Sequence, residues 1–258
     1  MQGNDLNISA IPAFSDNYIW LITSGENVCA VVDPGDAGPV LKFLTKNGLD
    51  LRYILLTHHH PDHIGGVPEL LEQYDAQVFA PADERIRFKH QACMEGDQVV
   101  LADLNAKFRI LEIPAHTRSH IAFYNENTLF SGDTLFSVGC GRFFEGTATD
   151  MQASMDKLAA LPANTLNYCG HEYTQANCAF ALQVEPDNTA LQKRSEEVKR
   201  LRATGIITLP SSIGEELATN PFLRTRERAI IEAAQKIDPN ATAGSSTMAI
   251  IRAWKDRF

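Results

Sequence analysis

The sequence predicts an α/β region followed by an all-helical one, with the boundary near residue 173. Three observations predict this. Apolar runs of strand length alternate with helix-periodic stretches as far as Cys169. After His171 the strand signals stop and long helical patterns follow. The densest group of ligand-type side chains, Thr57-His58-His59-His60-Pro61-Asp62-His63, stands directly behind the apolar run Tyr53-Ile54-Leu55-Leu56. That is the strand end at which open α/β sheets place their sites.

Residues 8–14, 18–23 and 28–32 read as strands, the first two joined at Ser15-Asp16-Asn17. Asp33-Pro34-Gly35-Asp36 then turns the chain. Residues 39–49 have helical periodicity through Val40, Leu41, Phe43 and Leu44. Residues 51–56 form the strand that delivers the histidine cluster. Gly65 and Gly66 lead on to an amphipathic stretch at 67–74, so the cluster reads as a loop between strand and helix. A short strand at 77–80 precedes a loop over 82–96. Residues 99–101 and 107–113 alternate as paired strands. Strands at 121–124 and 128–130 flank the turn Asn125-Glu126-Asn127. Thr149 or Asp150 caps a helix through Met155 and Leu158 to Leu161, with Gln152 as its capping-box partner. Residues 165–169 are the last strand. Beyond it, 174–184, 189–203 and 227–237 read as helices, and Ser212 with Glu215 marks another helix start. The expected organisation is therefore an α/β domain over 1–173 and a helical domain over 174–258.

A chain of 258 residues suffices for one large domain, or one domain with an appendage. At 44% hydrophobic residues it can bury a sizeable core, which excludes a disordered chain. No apolar run is long enough to span a bilayer, and the polar start, residues 1–7, has no signal-peptide pattern. Cys29, Cys93, Cys140, Cys169 and Cys178 are odd in number and lack C-x-x-C spacing. They read as reduced thiols of a cytoplasmic protein. The formal charge of −9 disfavours nucleic acid. An anionic small substrate would need a local positive field, from metals and a few Arg or Lys side chains. Repeats and low-complexity tracts are absent from the sequence.

Packed imidazoles repel once protonated, and metal ligation is the commonest reason to gather them. His58, His60, Asp62 and His63 on so short a loop cannot all reach one ion. His58 and His60 alternate to one side, while Asp62 and His63 fall further round the turn. Two adjacent metal positions are expected. Three later strand ends carry the same residue types: Pro114-Ala115-His116-Thr117-Arg118-Ser119-His120, Ser131-Gly132-Asp133 and Cys169-Gly170-His171. Their recurrence argues for one convergent site. Two ions about 3.5–4 Å apart need a bridging group, and the two oxygens of Asp133 suit that task. His58, His60 and His116 complete one position; Asp62, His63 and His171 complete the other. Water held between two divalent ions is largely hydroxide at neutral pH, a nucleophile for hydrolysing an acyl or phosphoryl compound. Asp62 helps to orient it. No G-x-S-x-G elbow or P-loop competes. Zinc is the first expectation, and iron or manganese would suit the same donors. His59 is expected to point away, His120 to pack or orient the loop, and His90 to lie on the surface.

H-x-H-x-D-H with a later His, a bridging Asp and a final His resembles the metallo-β-lactamase superfamily. The fold this implies is a four-layer αββα sandwich with metals at one edge. Within that superfamily the chain is similar to the glyoxalase II, or hydroxyacylglutathione hydrolase, family. The resemblance rests on Ile11-Pro12-Ala13-Phe14, Asp16-Asn17-Tyr18, Asp33-Pro34-Gly35, the cluster, Gly132-Asp133-Thr134-Leu135-Phe136, the run from Gly139-Cys140-Gly141-Arg142 through Phe143-Phe144-Glu145-Gly146-Thr147, His171-Glu172-Tyr173-Thr174 and the tail Lys255-Asp256-Arg257-Phe258. It implies a thioester hydrolase that cleaves S-D-lactoylglutathione to D-lactate and glutathione, the second step of methylglyoxal detoxification. Asp62 and Asp133 become the catalytic carboxylates. The ion of His58, His60 and His116 polarises the thioester carbonyl. Arg142, Phe144, Tyr173, Arg252 and Lys255 contact the glutathione moiety; Arg252 and Lys255, three apart, share one face of a terminal helix. The expected form is a cytoplasmic monomer acting on a small molecule, without nucleic-acid or membrane partners. The chain departs from the family's pattern at Ala115 and Ser119, where glycine is usual, and at Phe144, where some relatives carry Tyr. Rival readings are another hydrolase or a persulfide dioxygenase of the same fold, and a non-catalytic metal or glutathione module. A mononuclear iron dioxygenase should lack the full second set, whereas Asp62, His63 and His171 are all here. A non-catalytic module should have lost ligands, and none is lost.

Overall fold

Strand signals in the first third of the chain become a six-stranded mixed sheet in the computed structural model, which describes residues 6–25 and 27–258. Most of the polar start, residues 1–5, lies outside the described residues. β1 (Asn7–Ala13), β2 (Asn17–Thr23) and β3 (Val28–Val32) run antiparallel. α1 (Ala37–Asn47) then crosses to β4 (Asp50–Leu55), parallel to β3. α1 starts where Asp36 accepts from the Gly38 N–H at 2.9 Å, and ends at Gly48, whose φ of 63° suits glycine. Its Val40 and Leu44 are fully buried against β-sheet residues such as Ile19, Val31 and Ile54, each contributing about 1.5–3 kcal/mol.

Past β4 the cluster is only partly loop. Pro61 opens a one-turn helix, α2 (Pro61–Ile64), which carries Asp62 and His63. Proline suits a first helical turn because its missing N–H would be unpaired there anyway. α3 (Val67–Gln73) and β5 (Gln77–Pro81) follow, β5 parallel to β4. The stretch expected as loop, 82–96, contains β6 (Gln91–Cys93), a three-residue strand parallel to β5. So short a segment carries no periodicity to read. β7 (Gln98–Leu101) and β8 (Ala106–Glu112) pair antiparallel, as their alternation predicts, and β9 (Ile121–Asn125) extends them into a meander.

β10 (Thr128–Gly132) is followed by a hairpin of β11 (Leu135–Phe136) and β12 (Gly139–Cys140), too short for the sequence to announce. α4 (Ala148–Ala159) begins at Thr147, not at Thr149 or Asp150. Its capping box pairs Thr147 with Asp150, and Gln152 instead donates to Asp156. β13 (Leu166–Cys169) runs parallel to β10. α5 (Thr174–Val184) and α6 (Thr189–Ala203) fall where their periodicity places them. A two-residue strand, β14 (Ser211–Ser212), pairs with β13, and Ser212 caps α7 (Ile213–Thr219) by accepting from Glu215 N–H. α8 (Arg228–Gln235) and α9 (Ser245–Lys255) complete the chain.

The chain packs as two compact units. One is the chain up to Glu112 with Ser119–Asn125; the other is Ile113–Arg118 with Glu126–Phe258. The helices after residue 173 thus share a unit with β10 to β13, so the packing division differs from the change in texture at 173. Among the described residues no helix is long and apolar enough to cross a membrane. All five cysteines are free and buried. Burial pushes the Cys29 and Cys178 thiols up to about 12 and Cys93 to about 11, far from the range of a thiolate nucleophile.

Glu216 is a buried carboxyl of the helical region. It is fully enclosed, and burial pushes its carboxyl up to about 7 against donors from Ser211, Asn220 and the Val138 N–H, with Glu215 adding to the rise. The folded state holds this proton to about pH 7, whereas an unfolded Glu releases it near its ordinary value of 4.5. Stability from this group therefore falls as pH rises between those values, by on the order of 3 kcal/mol. Urea unfolding of metal-free protein from pH 5 to 8 should show Glu216→Gln gaining on the wild type as pH rises. A constant difference between the two would refute the assignment.

Candidate metal centre

The ligand-type side chains form two clusters, one in each unit. In the first, the path from β3 matters as much as that from β4. Asp33, just past β3, sits at φ 52°, a conformation that aspartate tolerates. Its carboxylate accepts from Thr57 N at 2.8 Å and Thr57 Oγ1 at 2.7 Å. The Thr57 hydroxyl has given its only proton to Asp33, so at 3.0 Å it accepts from His58 Nδ1–H. His63 Nδ1–H likewise donates to Asp33 Oδ2 at 3.0 Å. Both buried imidazoles thereby keep Nε2 as the lone-pair nitrogen. His58 Nε2 faces His60 Nδ1 at 3.1 Å, and His63 Nε2 faces Asp62 Oδ2 at 3.4 Å. Asn17 Nδ2 donates to Asp62 Oδ2 at 3.1 Å and holds that carboxylate in place. Gly35 is required here: a Cβ would lie 1.8 Å from the Asp62 carbonyl oxygen, so only glycine lets the turn lie against α2.

Of the other histidines, His120 and His59 follow their expected roles, whereas His90, expected on the surface, is partly buried. His120 is fully buried and stacks on His58, centroids 4.6 Å apart and planes 16° apart. His59 turns toward Asp83, Nδ1 to Oδ2 3.6 Å. His90 Nδ1 donates to the Phe88 carbonyl at 2.9 Å.

In the second unit, β10 and β13 bring two strand ends level. Gly132 pairs with Cys169, and Gly170 N–H donates to Gly132 O at 3.0 Å. Asp133 and His171 follow these positions directly, and His171 Nε2 lies 3.2 Å from Asp133 Oδ2. His116 Nε2 approaches the same oxygen at 3.6 Å, while its Nδ1–H donates to the Arg142 carbonyl at 3.1 Å. Tyr173 stacks on His171, centroids 4.7 Å apart and planes 6° apart. Phe144 is 61% exposed, its ring 5.2 Å from His116.

Ala115 sits at φ 155°, a conformation that favours glycine, and it is fully buried. The loop accommodates it because Gly146 offers no side chain: a Cβ there would meet Ala115 Cα at 2.5 Å. Ser119 has no positive φ and donates to Asp83 Oδ2 at 2.5 Å.

In both units a histidine Nδ1–H is spent on a protein acceptor, and its Nε2 lone pair faces a carboxylate oxygen. Lone pair against lone pair is what a cation reconciles, and an acceptor behind each ring is the usual support of a ligating imidazole. The donor set fits divalent metal ions. Asp33 and Thr57 are the residues that sequence reasoning missed as supports; their one signal was an acidic residue directly past a buried strand.

Residues 13–171 match the family model "Metallo-beta-lactamase superfamily", and residues 172–258 match "Hydroxyacylglutathione hydrolase C-terminus". A curated protein of Aliivibrio salmonicida named hydroxyacylglutathione hydrolase is 51% identical over 255 residues, 98% of this chain and 100% of its own. One of the same name from Pseudomonas fluorescens is 49% identical over 256 residues, with 98% of this chain and 100% of its own covered. The chain belongs to the hydroxyacylglutathione hydrolase family. Solved structures agree on the fold. ETHE1 from Myxococcus xanthus superposes with a TM-score of 0.65 at 24% identity, over 97% of this chain and 98% of its own. The B3 metallo-beta-lactamase BLEG-1 gives 0.64 at 23% identity, over 84% and 99%. The expected metallo-β-lactamase fold with a helical C-terminal region is the observed one.

The substrate residues expected on the terminal helix turn inward. Arg252 is only 5% exposed and donates to the Cys140 carbonyl at 2.8 Å and to Asp256 at 3.0 Å. Lys255 donates to Asn177 Oδ1. Burial first, and the Arg252 charge second, pull its ammonium down to about 8. Arg142 is exposed, with Nε 3.2 Å from Asp256 Oδ1.

Proposed function

We propose that the chain hydrolyses S-2-hydroxyacylglutathione thioesters, S-D-lactoylglutathione first among them, to D-lactate and glutathione, as in the second step of methylglyoxal detoxification. The observation that carries this is the full-length kinship together with an intact donor set, every predicted ligand being present and buried or half-buried. Two divalent ions, zinc in the first instance, would be held by His58, His60 and His116 and by Asp62, His63 and His171, with Asp133 common to both. When bound, they supply Lewis-acid polarisation of the carbonyl and an acidified water.

The chain's own residues do the rest. Asp33, through Thr57 and directly, fixes the tautomers of His58 and His63. The Arg142 carbonyl does the same for His116. Asp62, held by Asn17, orients the nucleophile. A thiolate is a good leaving group, so no dedicated acid is assigned. Arg142, Phe144, Tyr173, Arg252 and Lys255 bind the glutathione moiety, so residues 1–173 serve as the catalytic part and 174–258 as the substrate-binding part. The chain acts as a monomer in the cytoplasm, where five free cysteines would stay reduced; light scattering tests the monomer.

Kinetics on S-D-lactoylglutathione beside a plain acyl thioester test the substrate. The expected result is a kcat/KM at least tenfold higher for the glutathione conjugate, about 1.4 kcal/mol of transition-state binding through the peptide. Equal turnover of the two would favour a broader hydrolase.

A further inference from the structure

The hairpin of β11 and β12 pairs only Leu135 with Cys140 and Phe136 with Gly139. So short a ladder does not hold itself. Its turn also contains Val138 at φ 56°, an outlying conformation for a β-branched residue. Such a conformation persists only where the surroundings over-determine it. Here the surroundings are α7 and its C-cap. Glu216 Oε2 accepts from Val138 N–H at 2.7 Å. The Asn220 amide nitrogen lies 3.2 Å from Phe136 O, 2.9 Å from Gly139 O and 2.9 Å from Glu216 Oε2. Asn220 Oδ1 accepts from Phe222 N–H, which turns the NH2 group toward the hairpin. Both side chains are fully buried.

The hairpin stands between two parts of the candidate centre. Asp133 lies two residues before it. Directly after it, Gly141 N–H donates to Thr134 O at 3.2 Å, and a Cβ on Gly141 would fall 2.0 Å from the Asp133 carbonyl oxygen. The next residue, Arg142, offers the carbonyl that accepts from His116 Nδ1–H.

We propose that Asn220 and Glu216 are positioning residues of the centre: they set the path of the 135–140 hairpin, and through Gly141 and Arg142 the orientation of His116 beside Asp133. The inference rests on the proposed ligand assignment. It gives α7, which supplies none of the assigned ligands, a part in metal affinity. Relaxing the hairpin displaces the Arg142 carbonyl, and a ligand histidine without its fixed acceptor binds metal more weakly.

Zinc affinity by chelator competition, lactoylglutathione kinetics and thermal unfolding of the metal-free protein test this on Asn220→Ala, Glu216→Ala, Glu216→Gln and Val198→Ala. The two clamp truncations are expected to bind zinc about tenfold to a hundredfold more weakly and to lose kcat in proportion. Glu216→Gln keeps an acceptor oxygen for Val138 N–H and Asn220 and should stay near wild type. Val198, fully buried in α6, is a control for destabilisation alone, and its truncation should lower the unfolding midpoint with zinc affinity retained. Wild-type zinc affinity in both truncations, or an equal loss in Val198→Ala, would overturn the proposal. A wild-type protein that binds no zinc would overturn the ligand assignment and this proposal with it, so the two failures are distinguishable.

Discussion

Asp133→Ala is expected to remove nearly all turnover and at least one of the two proposed metal equivalents. Two imidazoles, His116 and His171, converge on one oxygen of this carboxylate at 3.6 and 3.2 Å. It is the one acidic group assigned to both ions. Its loss would leave each proposed position short of a ligand and would remove negative charge from the pair of sites. Lewis-acid stabilisation is worth several kcal/mol, which corresponds to on the order of a thousandfold or more in kcat. Metal analysis of the purified variant beside single-turnover kinetics decides the matter. Full occupancy with normal turnover would sink the bridge assignment. Asp133→Asn is the informative companion, since it keeps shape and one acceptor oxygen but loses the charge.

The second large effect is expected at the terminal helix, and there the structure separates two residues that the sequence treats alike. Lys255→Ala should raise KM with kcat little changed, because the proposed contact to the peptide would be the same in ground and transition states. A well-formed charged contact is worth roughly 1.5–3 kcal/mol, about tenfold to a hundredfold in affinity. Arg252→Ala should lower kcat as well, because the buried guanidinium also holds the Cys140 carbonyl at the end of the hairpin. The alkaline limb distinguishes the two further. The Lys255 ammonium is pulled down to about 8, so its positive charge is lost as pH rises through that value. kcat/KM for the anionic thioester should therefore fall above about pH 8. In Lys255→Arg the fall should be absent, because arginine stays charged. High salt should weaken the wild type more than Lys255→Ala, whose missing charge leaves less to screen. An unchanged KM in Lys255→Ala would reduce the residue to a structural tie to Asn177.

Much of this protein is determined by local sequence. The strands at β1 to β5, the helices α5 and α6, and the cap of α7 follow from periodicity and capping chemistry within a few residues. The seven ligand-type residues announce themselves because each stands just past an apolar run, and the run and its terminus are adjacent in the chain. What tertiary structure alone decided are the relations between distant segments. That Asp33 stands behind both His58 and His63 depends on β3 and β4 lying side by side. That Arg252 faces the hairpin carbonyl, 112 residues away, is invisible in a helical pattern that would equally suit a solvated face. The hairpin itself, β6 and β14 are two or three residues long, so no period exists to detect; they exist because partner strands and buried side chains supply the hydrogen bonds that their own length does not. Residue types and their spacing mark which groups are candidates for the chemistry, because histidines and carboxylates are common metal ligands. How each is aimed is a property of the second partner of every imidazole, and only the folded chain chooses that partner.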